Sequence, residues 1–142
     1  MPEFHAVLGR LVHDEDRNIY TGKLTVRQQK IAFALVPDDG GDFAKAETRA
    51  IRFARDSATE LYAIQRFLAG HFLDMANEDW AEPDSKRFSV KDFISRIVVE
   101  TVRFKGDGSA EFVFTDSDIF SGHWLIARMR PDGILYHAEL AG

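Results

Sequence analysis

Cysteine is absent from this chain of 142 residues. Disulfides, thiolate metal sites and thiol nucleophiles are thereby excluded. Concentrated positive charge is missing as well: no run of Lys and Arg exceeds two residues, and the net charge is -5. Nucleic-acid binders carry a basic stripe that neutralises phosphates, so no nucleic-acid partner is expected. No apolar run approaches the roughly 20 residues that cross a bilayer, which argues against a membrane partner. The opening residues Met1-Pro2-Glu3-Phe4-His5 have neither a basic leader nor an apolar core, unlike a secretory signal. The cytoplasm is therefore the expected location. The G-x-S-x-G elbow, the P-loop, G-x-G-x-x-G and H-E-x-x-H are all missing, and no cofactor is expected.

What is present is phenylalanine, at 12 residues, within a composition that is 45% hydrophobic. Phe has no polar handle, so its abundance points to core packing. The length suits one domain spanning residues 1–142.

Strand patterning opens the chain. Phe4 to Val12 alternates and reads as a first strand, followed by a polar turn over Asp14-Glu15-Asp16-Arg17-Asn18. Tyr20, Gly22, Leu24 and Val26 share one parity, as on a strand with one buried face. After a turn at Arg27-Gln28-Gln29, Ile31, Phe33 and Leu35 alternate with Ala32 and Ala34, and Pro37-Asp38-Asp39-Gly40-Gly41 stops this third strand. A helical period follows from Phe43 to Met75. One helix of that length would outrun a compact domain. The spacing predicts a break at Ser57-Ala58-Thr59-Glu60, which matches a capping box, with helices over 42–55 and 58–76. Arg49, Arg52 and Arg55 recur at helical spacing and read as a solvated face. A loop is expected from Ala81 to Arg87, then a short helix capped by Ser89 and ending at Arg96.

Four further strands are expected: Ile97 to Phe104, Ala110 to Thr115, His123 to Arg130, and Ile134 to Leu140. Gly106-Asp107-Gly108 and Pro131-Asp132-Gly133 supply turns between them. Strands, then helices, then strands make an α+β fold. The expectation is an antiparallel sheet of about six to seven strands, a three-stranded meander plus four, with two to three helices packed on one face.

Two segments are candidates for chemistry. Asp116, Asp118 and His123 surround a turn between strands. Their oxygen and nitrogen atoms suit a divalent metal ion, or a carboxylate-oriented imidazole base. The competing reading is local: Asp and Ser in turns bond nearby amides, and Gly122 supplies backbone freedom. Asn77-Glu78-Asp79-Trp80 closes a helix, and its acidic groups oppose the helix dipole there. Glu78 is a further catalytic candidate. Asn77, Trp80, Phe120 and Trp124 are candidate binding residues, because exposed aromatic anchors favour partner contacts.

Leu8-Gly9-Arg10-Leu11, Tyr20-Thr21-Gly22, Met75-Ala76-Asn77-Glu78-Asp79-Trp80 and Asp116-Ser117-Asp118-Ile119-Phe120-Ser121-Gly122-His123 together resemble an uncharacterised bacterial family, domain of unknown function 2262. The resemblance implies one domain over nearly the whole chain. It also implies that Asn77, Glu78, Trp80, Asp118, Phe120, Gly122 and His123 form a shared cluster, without assigning it an activity.

The functional expectation is a non-catalytic protein-binding or interaction module, of which an immunity-type role against a toxin is one form. The alternative is a metal-dependent or acid–base hydrolase using Asp116, Asp118 and His123. A second alternative is a structural domain that forms a homodimer through an uncovered sheet face.

Overall fold

The computed structural model describes residues 3–80, 86–116 and 118–142. The loop expected over 81–87 falls mostly outside them, as does Ser117 of the acidic turn. Among the described residues the fold is α+β, a mostly antiparallel seven-stranded sheet with three α-helices and a separate two-stranded ribbon.

The ribbon comprises β1 (Phe4–His5) and β2 (Gly9–Arg10). The sheet follows chain order: β3 (Val12–Asp14), β4 (Ile19–Val26), β5 (Gln29–Leu35), β6 (Val98–Phe104), β7 (Ala110–Thr115), β8 (Trp124–Met129) and β9 (Leu135–Ala141). Between β5 and β6 lie α1 (Ala44–Arg55), α2 (Ser57–Met75), a π-helical turn (Ala76–Trp80) and α3 (Val90–Arg96).

Three expectations are corrected in detail. The first strand, expected over Phe4 to Val12, is divided into β1, β2 and β3. The His5 ring causes the division: its Nδ1 accepts the backbone N–H of Val7 at 3.0 Å and of Leu8 at 3.1 Å. Those bonds turn the chain, and Gly9 completes the reversal at φ +77°. With Nδ1 accepting, the proton sits on Nε2, which points at Glu47 Oε1 3.3 Å away. Secondly, the sheet is not wholly antiparallel, because β5 and β6 pair in parallel, Phe33 beside Val102. The intervening helices carry the chain back to the starting edge, as parallel neighbours require.

The third correction concerns α2. The helix starts one residue earlier than the box requires: Asp56 is its N-cap, without a side-chain cap bond, and Ser57 is already the first helical residue. Glu60 instead meets Arg49 of α1, accepting from its guanidinium through both carboxylate oxygens. Arg49 is only 4% exposed and so does not belong to a solvated face, although Arg52 and Arg55 do. A buried guanidinium left without a counter-ion would cost several kcal/mol, roughly 3–5. That requirement outweighs a cap contributing about 1 kcal/mol. At α3 the cap expectation holds: Ser89 accepts from the Asp92 N–H at 3.1 Å, and Asp92 accepts from the Ser89 N–H at 3.1 Å.

The core lies between the helices and one sheet face. Along the register Gly22, Phe33, Val102, Phe112, Ala127 and Ala138 form one inward row across six strands. α1 packs over β5 and β6, while α2 packs over β8 and β9. Phe53 of α1 is fully buried, with its ring centroid 5.8 Å from Phe104 and 5.6 Å from Phe112. Burying a Phe contributes about 1.5–3 kcal/mol, more than a surface ion pair at about 0–1 kcal/mol. Ring burial therefore decides where the helices sit.

Two positions show backbone constraint. Val26 and Gln29 pair across a two-residue hairpin whose central residues Arg27 and Gln28 have φ of 51° and 68°. That geometry favours Asn-Gly, because larger side chains are strained in the left-handed region. Replacing the pair by R27N and Q28G is expected to stabilise the fold by about 1 kcal/mol, read as a raised urea midpoint at unchanged slope. Gly106 has the opposite character. A Cβ there would lie 2.0 Å from the Asp38 backbone nitrogen. Gly106→Ala is expected to destabilise by about 3 kcal/mol or more, since the atoms it would meet, in Pro37 and Asp38, are all backbone; thermal unfolding measures it.

Candidate functional site

The acidic turn is built from the inside. Asp116 follows β7 and is 3% exposed. Its carboxylate accepts the backbone N–H of Asp118 at 3.0 Å and of Phe120 at 2.7 Å. The Asp116 carbonyl accepts from the Ile119 N–H at 3.1 Å. These bonds hold a sharp reversal in which Asp118, Ser121 and Gly122 take φ of +71°, +56° and +83°. His123 closes the turn through a short Nδ1 contact to the Phe120 carbonyl. A carbonyl only accepts, so Nδ1 carries the proton.

The helix end meets this turn. The Trp80 ring lies edge-on to Phe120 at 5.5 Å and to His123 at 5.3 Å. Phe120 is fully buried and also contacts Phe72 of α2 and Phe93 of α3. The π-helical turn widens the end of α2 and so carries Trp80 outward to this position. Asn77 acts elsewhere. Its amide donates to the Phe88 carbonyl at 3.0 Å and accepts from the Phe88 N–H at 2.6 Å. It thus clasps the two ends of the intervening segment.

The candidate residues are therefore brought together in part. Trp80, Phe120 and His123 touch. Glu78 and Asp118 are exposed, whereas Asp116 is bound by backbone amides. Trp124 is 46% exposed on the opposite sheet face, where it pairs with Thr115 and Ala141. Among the described residues, no group of three His, Asp or Glu side chains is placed to hold a metal ion. Chemically, the arrangement is an amide-satisfied carboxylate under an aromatic cluster.

A second site lies on the sheet face away from the core. A concavity of about 860 Å³ opens there, and among the described residues no helix residue lines it. Its floor includes Ala32 and Ala34, and its lining includes Arg10, Arg17, Lys23 and Arg103. Two cross-strand rows organise it: Lys23, Ala32 and Thr101 in one, Thr21, Ala34 and Arg103 in the next. Farther along the sheet, Arg128 binds Glu111 at 3.0 Å and Glu139 at 2.6 Å. Arg128, followed by His137, holds the Glu139 carboxyl below its ordinary range.

A family model described as an uncharacterised protein conserved in bacteria, DUF2262, matches residues 5–140. The chain belongs to that family. No curated protein and no solved structure matches it. The match runs from the His5 turn to the end of β9, so the acidic turn, the Trp80 helix end and the cationic concavity all lie within the DUF2262 region. No helix among the described residues is long and apolar enough to cross a membrane.

Sequence reasoning missed the concavity. Its signal was present in the alternation of β5, where Ala32 and Ala34 leave the outward face without bulk. The cations come from β2, the β3–β4 turn, β4 and β6, which no linear spacing connects. For the turn, Asp116→Ala leaves two amides without their acceptor, and a loss of about 2–4 kcal/mol in unfolding free energy is expected from urea denaturation. Asp116→Asn retains one acceptor oxygen and is expected to lose less.

Proposed function

We propose that this DUF2262 protein is a non-catalytic binding module that engages another protein through the open face of its sheet. The observation that carries this reading is the one-sided layering. The helices bury one face, while the other keeps a wide concavity lined, among the described residues, by the strands and the β3–β4 turn. A pocket of this size and shape suits recognition, provided that polar groups fix orientation. Lys23, Arg103 and Thr101 are such groups on the concave wall.

The hydrolase alternative draws less support. A general base needs a free lone pair within reach of its substrate. Asp116 is buried with both carboxylate oxygens accepting backbone amides, and His123 donates its Nδ1–H to the Phe120 carbonyl, which leaves Nε2 with a lone pair but gives the ring no carboxylate to orient it. The turn reads as a strand junction held by hydrogen bonds.

Val12 is 55% exposed and lines the concavity, whereas Arg66 lies exposed on α2. A photo-crosslinking residue at position 12 is expected to yield a discrete protein adduct in bacterial cells, and one at position 66 is not. Identical adduct patterns from both positions, or none from position 12, would sink the proposal.

A further inference from the structure

We infer that the segment received by this concavity is an acidic, extended stretch of the partner protein. The inference rests on the proposed binding role of the open sheet face and adds the chemistry of what binds there. The chain carries a net charge of -5, yet among the described residues no Asp or Glu lines the concavity while Arg10, Arg17, Lys23 and Arg103 do. A local field of opposite sign to the whole protein is a specific feature, because clefts focus potential.

The cations are also available. Among the described residues Arg10, Lys23 and Arg103 make no ion pair, and Arg17 alone is paired, its Nε 2.9 Å from Asp14. The Arg17 guanidinium and N–H hold the Asp14 carboxyl below its ordinary range, so that pair is internally satisfied. Arg103 has Glu111 as its cross-strand neighbour. The Glu111 carboxylate, however, turns to Arg128 at 3.0 Å. Arg103 is thereby left for an outside anion.

The spacing suits a chain. Lys23 and Arg103 stand on strands two apart, about 10 Å across the sheet, with the short Ala32 and Ala34 side chains between them. An extended segment presents alternate side chains to one face about 7 Å apart, and the long Lys and Arg arms cover the difference. Thr101 lies in the row of Lys23, next to the row of Arg103, and offers a hydroxyl to the segment. Cations drawn from several strands match charges distributed along a polypeptide better than one compact anion.

The test uses the full chain and a fluorescein-labelled octapeptide of alternating Glu and Ala, followed by fluorescence anisotropy. A Lys–Ala octapeptide serves as the sign control. Binding of the acidic peptide is expected, with affinity falling about tenfold or more between low and physiological salt. The K23E/R103E variant is expected to bind at least about tenfold more weakly. The R55E/R66E variant, which changes net charge equally on the helical side, is expected to bind as the parent does. All four residues are exposed, so both variants retain the fold. Equal weakening by the two variants, absence of acidic-peptide binding, or displacement of the peptide by an equimolar amount of inorganic phosphate overturns the inference. An adduct from position 12 that is undiminished by K23E/R103E overturns the acidic partner while leaving the binding role standing. Loss of any adduct from position 12 removes the binding role itself.

Discussion

Phe53 has nowhere to go but into the sheet. It projects from α1 between Phe104 of β6 and Phe112 of β7, fully buried. That seat fixes the helical layer over the parallel junction, where β5 and β6 meet. Phe33 continues the contact beneath, with its ring centroid 6.1 Å from Phe104. A second aromatic group, Phe72, Phe93 and Phe120, binds α2 and α3 to the end of the sheet. Seven of the twelve phenylalanines are thus divided between two seats, one for each end of the helical layer.

One-sided burial follows from this arrangement, and the exposed face follows from one-sided burial. Every buried position of β5 to β8 carries an apolar residue, so the outward positions remain to meet solvent or a partner. They are divided by electrostatics. Toward β9 the charges satisfy one another through Arg128, Glu111 and Glu139. Toward β3, among the described residues, Arg10, Lys23 and Arg103 make no ion pair, and they surround a floor of alanines. The Arg128 network thus draws Glu111 away from Arg103 and leaves one half of the face positive.

The turn from Asp116 to His123 serves the same core. Asp116 is polar and buried because the backbone amides of Asp118 and Phe120, inside a reversal with left-handed residues, need an acceptor. Its effect is to drive Phe120 inward against Phe72 and Phe93 while β8 resumes one residue after His123. Trp80 covers this junction from the π-helical turn. A cluster that reads in sequence as paired carboxylates and an imidazole is, in space, a lid of rings over a capped reversal.

Local pattern alone determined much of this protein. Alternation at Ile31, Phe33 and Leu35, the helical period through Ile64, Leu68 and Phe72, and the Ser89–Asp92 cap each depend on neighbours within a few residues. For that reason the α+β class, most strand limits and the α3 cap were legible. Other features depend on residues far apart in the chain. The parallel β5–β6 pairing, the burial of Arg49 against Glu60, the meeting of Trp80 with His123, and the cationic concavity join positions that only packing brings near. Ser57 illustrates the limit: its capping box is sound as sequence, but the helix is capped at Asp56 and a buried guanidinium elsewhere takes Glu60. Tertiary structure decided those features because desolvated charge and buried rings outweigh the local bonds that a sequence displays.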